Sequence, residues 1–157
     1  PAATGNTIAT FNIGSPLSGV MTATYCAGSN GVYELLVRMN GTNVTSPTDL
    51  IDIRITQLGV FKIRKEVDGT ITDLATGTLV LTPGVAYRII ALVTNTTVAA
   101  RINDLSGYTL STLSYTLTTN EQNMFSLPEY SRVGFLHQYN SGGTPGWSDD
   151  FLVRSYA

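Results

Sequence analysis

A chain of 157 residues amounts to one domain, and with 43% apolar residues it can fill a core without disulfide or metal support. Only 13% of the residues are charged and the net charge is −2, which excludes a basic phosphate-binding surface; Thr, Ser, Asn and Gly carry the polarity instead. The one cysteine, Cys26, excludes an internal disulfide and a cysteine-based zinc centre, and no apolar run approaches the ~18 residues of a membrane-spanning helix.

The chain opens Pro1-Ala2-Ala3-Thr4-Gly5, without the basic and apolar regions of a signal peptide. Two origins fit: a piece of a longer secreted or virion protein, or a cytoplasmic product that has lost its initiator Met.

Alternation with a period of two runs through the sequence and predicts strands. Residues 7–13 and 19–26 come first. From Val32 to Met39, Tyr33, Leu35, Val37 and Met39 fall on one face and Glu34 and Arg38 on the other, within a strand over 31–39. A strand over 49–57 follows, and then one over 59–67, where Val60, Lys62, Arg64 and Glu66 alternate with Phe61, Ile63, Lys65 and Val67. Asp68-Gly69 supplies the positive φ of a tight hairpin from Phe61 to Leu74. Strands are expected at 70–75 and 77–82, and at 85–94, where both faces are largely apolar and a central strand covered on both sides is predicted. A turn at Asn95 leads to 97–103, and Asp104–Gly107 leads to 108–117. The helical candidate is Asn120–Ser126, and strands at 131–138 and 147–156 close the chain. About eleven or twelve strands cannot share one sheet without exposing a large apolar face. The expected fold is therefore all-β: one domain over 1–157, a two-sheet antiparallel β-sandwich of the jelly-roll type.

Chemistry is sparse. Asp49 and Asp52 are three apart, and Asp149 and Asp150 adjacent, so neither pair shares a strand face as a glycosidase dyad would require. A hydrolase or lyase would have to bring acids from distant strands together, Glu34 and Asp52 for example. The lone His137 and Cys26 offer one conceivable nucleophilic pair, without a Gly-x-Ser-x-Gly elbow, and Gly142–Gly146 lacks the Lys-Ser/Thr and the helix of a phosphate cradle. Asp149 and Asp150, at the mouth of the last strand, are the candidate ligands for a calcium ion completed by carbonyls near Thr10–Asn12. Tyr130, His137, Gln138, Tyr139, Asn140, Trp147 and Asp149 combine aromatic plates with amide and carboxylate partners, the composition that sugars require, with Trp147 beside a Gly-rich loop. Asn40, Asn43 and Asn95 head acceptor sequons, which a chain this rich in Asn and Thr contains by chance.

Leu81–Ile89, Thr97–Asp104, Gly107, Arg132-Val133-Gly134-Phe135 and Trp147–Val153 follow in an order that resembles the concanavalin A-like lectin/glucanase jelly roll and its laminin-G-like relatives, over residues 31–157. The resemblance implies a sandwich that hosts lectins, carbohydrate-binding modules, glycanases and adhesion domains. The catalytic acid-rich strand of the glycanase branch has no counterpart here. Low charge and Thr-rich strands are similar to phage tail and capsid-surface modules. The expectation is a non-catalytic, lectin-like module on a virion or extracellular particle, binding a carbohydrate or cell-surface polymer through Tyr130, His137, Tyr139, Asn140 and Trp147, with no nucleic acid, no membrane insertion and no cofactor beyond a structural calcium. The alternatives are a structural virion or fibre domain acting through contacts with other subunits or copies of itself, and a glycan hydrolase or lyase.

Overall fold

The computed structural model describes residues 5–28, 31–40, 49–56, 58–139 and 147–156. Asn140, the Gly142–Gly146 loop and the sequon residue Asn43 lie outside these, and of Tyr139 and Trp147 only the backbone is described.

Eleven strands are present among the described residues, in two antiparallel sheets. One has the order β1-β10-β3-β4-β5-β6: β1 (Gly5–Asn12), β10 (Arg132–Tyr139), β3 (Gly31–Met39), β4 (Leu50–Thr56), β5 (Val60–Val67) and β6 (Thr70–Thr78). The other has the order β11-β2-β7-β8-β9: β11 (Trp147–Ser155), β2 (Gly19–Cys26), β7 (Ala86–Val93), β8 (Thr97–Asp104) and β9 (Thr109–Thr116). The sandwich predicted from alternation is the observed fold.

Inward-facing residues of both sheets form one core, in which Met21, Tyr25, Tyr33, Leu35, Ile53, Phe61, Ile63, Ile89 and Ile102 are fully buried. Tyr25 and Tyr33 stack across the sheets at 4.8 Å. Phe151 closes one edge against Phe11 and Phe135, each at 5.6 Å. The predicted Asp68-Gly69 hairpin is present, with φ of 50° and 72° at the two turn residues, the left-handed values that a two-residue loop needs to match strand twist. The helix α1 runs Thr119–Phe125, close to its expected position, because Thr118 and Glu121 form a capping box that satisfies its first amides.

Three expectations are corrected. Residues 70–75 and 77–82 form a single strand to Thr78, bulged opposite Ile63/Arg64; beyond it Leu79 and Leu81 remain in the core as an irregular segment. Arg38 does not share the outer face with Glu34. A register shift against β4 between Leu36 and Arg38 inverts the alternation, and the guanidinium turns inward, fully buried. There it donates from Nε and Nη2 to the Leu17 carbonyl (3.2 and 2.9 Å) and from Nη2 to the Thr94 carbonyl (3.0 Å). Finally, β7 is central in its sheet but open on one face: Leu92 is 41% exposed, and no described element lies over it.

Candidate functional site

That open face follows from pairing register. Because Met21, Ala23, Tyr25, Ile89, Ala91 and Ile102 point into the core, their alternates point out. Cross-strand partners then line up in rows. One row reads Arg154, Val20, Leu92, Ala99, Ser114; the next Leu152, Thr22, Ile90, Arg101, Thr112; the third Asp149, Thr24, Arg88, Asn103, Thr109. Aliphatic side chains thus occupy the middle, with hydroxyls and guanidinium groups around them. Two adjoining grooves lie on this face and share Val20 and Thr22. The groove of about 760 Å³ runs beside β11, lined by Arg88, Asp150, Leu152, Arg154 and Tyr156; the other, of about 630 Å³, extends over Ile90, Leu92, Arg101 and Ser114.

Asp150 reaches the first groove through an irregularity of β11. The register shifts between Asp149 and Leu152, and Asp150 takes φ 52°, a left-handed conformation that Asp tolerates better than most residues. Its amide donates to Asp149 Oδ1 (2.8 Å), and the Thr24 hydroxyl donates to its Oδ2 (3.4 Å). Tyr156, 55% exposed, continues the outward sequence Leu152, Arg154, Tyr156; its amide donates to the Ser18 carbonyl at 2.7 Å, anchoring it at the end of the groove. Neither Tyr156 nor the three arginines was singled out from sequence, although period-two counting from Leu152 would have placed Arg154 and Tyr156 on one face.

Of the aromatic set expected from sequence, Tyr130 and His137 are buried. Tyr130 is 3% exposed, packed edge-on against Phe125 (5.0 Å), with its hydroxyl donating to Asp49 Oδ2 (3.1 Å) and accepting from Asn40 Nδ2 (3.4 Å). Burial and the neighbouring Asp49 raise its pKa. It serves the core and offers no open ring face. His137 is also buried, edge-on to Tyr25 (5.9 Å) and Tyr33 (6.1 Å), because its position in β10 points between the sheets. Burial lowers its pKa and holds it neutral, and its Nε2 has no hydrogen-bond partner among the described residues. Cys26 is buried on β2 in the opposite sheet, with no hydrogen bond to His137 among the described residues. Trp147 opens β11 opposite Cys26, and Tyr139 ends β10 opposite Gly31. Asp149 and Asp150 are exposed, and no group of three His, Cys, Asp or Glu side chains fit for a metal occurs among the described residues.

Glu34 and Asp52 do come together on the outer face of the six-stranded sheet, through the register Glu34↔Arg54 and Asp52↔Arg64. Arg64 binds Asp52 through Nε (3.0 Å) and Nη2 (2.7 Å) and reaches Glu34 Oε1 from Nη2 (2.9 Å); Arg54 Nη1 meets the same oxygen at 2.7 Å. Asp52 is 2% exposed, and burial, aided by Glu34 and opposed by Arg64, pushes its carboxyl up to about 7. Two carboxylates tied to two arginines in this way form an ion-pair network bracing β3, β4 and β5, and none of the four lines either groove of the five-stranded sheet.

Neither a family model nor a curated protein matches the chain in sequence. Solved structures share its fold. A carbohydrate-binding module from Bacillus subtilis superposes with a TM-score of 0.65 at 7% identity, over 98% of this chain and 84% of its own. A tetrameric galectin from the ball sponge Cinachyrella sp. gives 0.61 at 11% identity, over 96% and 100%. A scytalido-glutamic peptidase bound to a transition-state analogue gives 0.56 at 15% identity, over 99% and 82%. The two-sheet jelly-roll sandwich expected from sequence is the fold this chain shares with these structures.

Proposed function

We propose that the protein is a non-catalytic, lectin-like module that binds glycan on the outer face of its five-stranded sheet. The observation that carries this reading is the composition of the grooves: hydroxyls of Thr22, Thr24, Thr112 and Ser114 and the guanidinium groups flank the aliphatic centre of Val20, Ile90 and Leu92, with the exposed ring of Tyr156 at one end. A sugar offers apolar C–H faces and a rim of hydroxyls, so it needs both kinds of surface side by side. The kinship in fold with a carbohydrate-binding module supports the reading. The arginine-bound state of Glu34 and Asp52 supports a role without catalysis. Display on a virion or extracellular surface belongs to the same proposal, supported by low charge and Thr-rich strands.

The test is a glycan array read with the wild-type protein and with Tyr156→Ala, a change at an exposed position. Binding by the wild type that falls about tenfold in the variant, a loss of ~1.4 kcal/mol, supports the site. Absence of binding to every glycan refutes the reading. A second reading, subunit contact, is favoured by Leu92 and Leu152, which leave apolar surface at 41% and 44% exposure on this same face. Light scattering decides it: a stable oligomer that Leu92→Arg dissociates assigns the face to a second copy of the chain.

A further inference from the structure

Charge is partitioned unevenly between the two sheets. Nine Lys and Arg face eleven Asp and Glu over the chain. On the six-stranded sheet four of the six cations are ion-paired, Arg54 and Arg64 with Glu34 and Asp52, Lys62 with Asp73, and Lys65 with Glu121, while Arg38 is buried on backbone carbonyls and Arg132 donates to the Thr10 hydroxyl. On the five-stranded sheet Arg88, Arg101 and Arg154 are all exposed, and none makes an ion pair or side-chain hydrogen bond among the described residues. The one carboxylate that lines either groove among the described residues is Asp150, at the β11 irregularity and already accepting from Thr24. Arg101 on β8 and Arg154 on β11 stand three strand spacings apart, on the order of 14 Å, with Val20, Thr22, Ile90 and Leu92 between them.

An acidic chain that gathers unneutralised guanidinium groups around one aliphatic floor has a surface complementary to an anion with an apolar body. The cations here are all arginines, whose planar fork matches a carboxylate with two parallel hydrogen bonds. We infer that the ligand of this face is an acidic polysaccharide, one whose sugars carry carboxylates, with Arg101 and Arg154 holding carboxylates at the two sides of the floor and Arg88 a third beside Asp150. The inference rests on the reading of this face as a glycan site and narrows its substrate class. Each pair is solvent-exposed and individually weak, so the preference arises from several pairs along one polymer and is screened by salt.

The experiment uses polygalacturonate, alginate and hyaluronan, each beside its methyl-esterified form, which keeps the sugar and removes the charge. Calorimetric titration at low and high salt compares the wild type with Arg101→Gln/Arg154→Gln, whose thermal melt verifies folding. The expected result is at least one acid form bound about tenfold tighter than its ester, with the preference lost at high salt and in the double variant. Equal affinity for acid and ester forms overturns the inference and leaves the glycan reading standing. Failure to bind any of these polymers in either form overturns the inference, and the glycan array then decides the reading beneath it. Dextran sulfate bound as tightly as the preferred carboxylated polymer overturns the assignment to carboxylates.

Discussion

Replacing Gly19 by alanine should unlatch the last strand. Gly19 sits in β2 opposite Ser155 of β11. A Cβ there would overlap the Arg154 carbonyl oxygen and lie 2.8 Å from Ser155 Cα and 2.9 Å from the Arg154 carbonyl carbon. These are backbone atoms, so no rotamer change relieves the clash, and carbon–carbon contact at about 3.5–4.0 Å requires β11 to retreat by roughly 1 Å. The retreat strains the neighbouring bond from the Tyr156 amide to the Ser18 carbonyl, now 2.7 Å. Overpacking costs about 1–3 kcal/mol and one weakened backbone bond about 1, so the expected loss is roughly 2–4 kcal/mol. For a domain of this size that lowers Tm by roughly 5–15 °C. Gly77→Ala is the control, since the one tight contact of its Cβ would be the flexible tip of Leu113 at 3.0 Å, with no backbone atom among its nearest neighbours. Thermal and guanidinium unfolding followed by circular dichroism give the stabilities, and hydrogen exchange at the Tyr156 amide reports the local loosening. Equal stability of the two variants, with unchanged Tyr156 protection, would refute the reasoning.

Further predictions concern titration and metal. Burial raises the Glu121 carboxyl, but hydrogen bonds from Lys65, Thr118 and Tyr115 outweigh it and leave the pKa lowered. Its stabilisation is therefore complete above the unfolded value of about 4.3 and is lost as pH falls through the lower folded value. Glu121→Gln should cost about 1 kcal/mol at neutral pH and flatten the acid limb of stability against pH; an unchanged limb counts against the argument. His137 is kept neutral by burial, so the unfolded chain takes up its proton first. Stability should decline as pH falls below about 6.5, and His137→Phe should remove that decline in urea titrations across this range. The carboxylates of Asp149 and Asp150 already accept from the Asp150 amide and the Thr24 hydroxyl, so millimolar calcium should leave Tm where chelator leaves it. A calcium-dependent rise abolished by Asp150→Asn would refute this and assign a calcium ion to these aspartates.

The sequence by itself determined most of the strands, the two-layer fold and the Asp68-Gly69 hairpin. Each is set by local pattern: alternate side chains must part to opposite faces, and a two-residue loop needs left-handed residues. Tertiary structure alone decided which face a residue serves wherever register slips. One irregular position in β3 sent Arg38 into the core, and one in β11 carried Asp150 into the groove. It also decided that Tyr130 and His137 are interior, because their composition suits a sugar site as well as a core and only packing distinguishes the two. The grooves themselves join β2, β7, β8, β9 and β11, so Thr22, Arg101 and Arg154 meet only through sheet order, which no stretch of neighbouring residues encodes. Alternation specifies that a strand has two faces; long-range pairing specifies what each face meets.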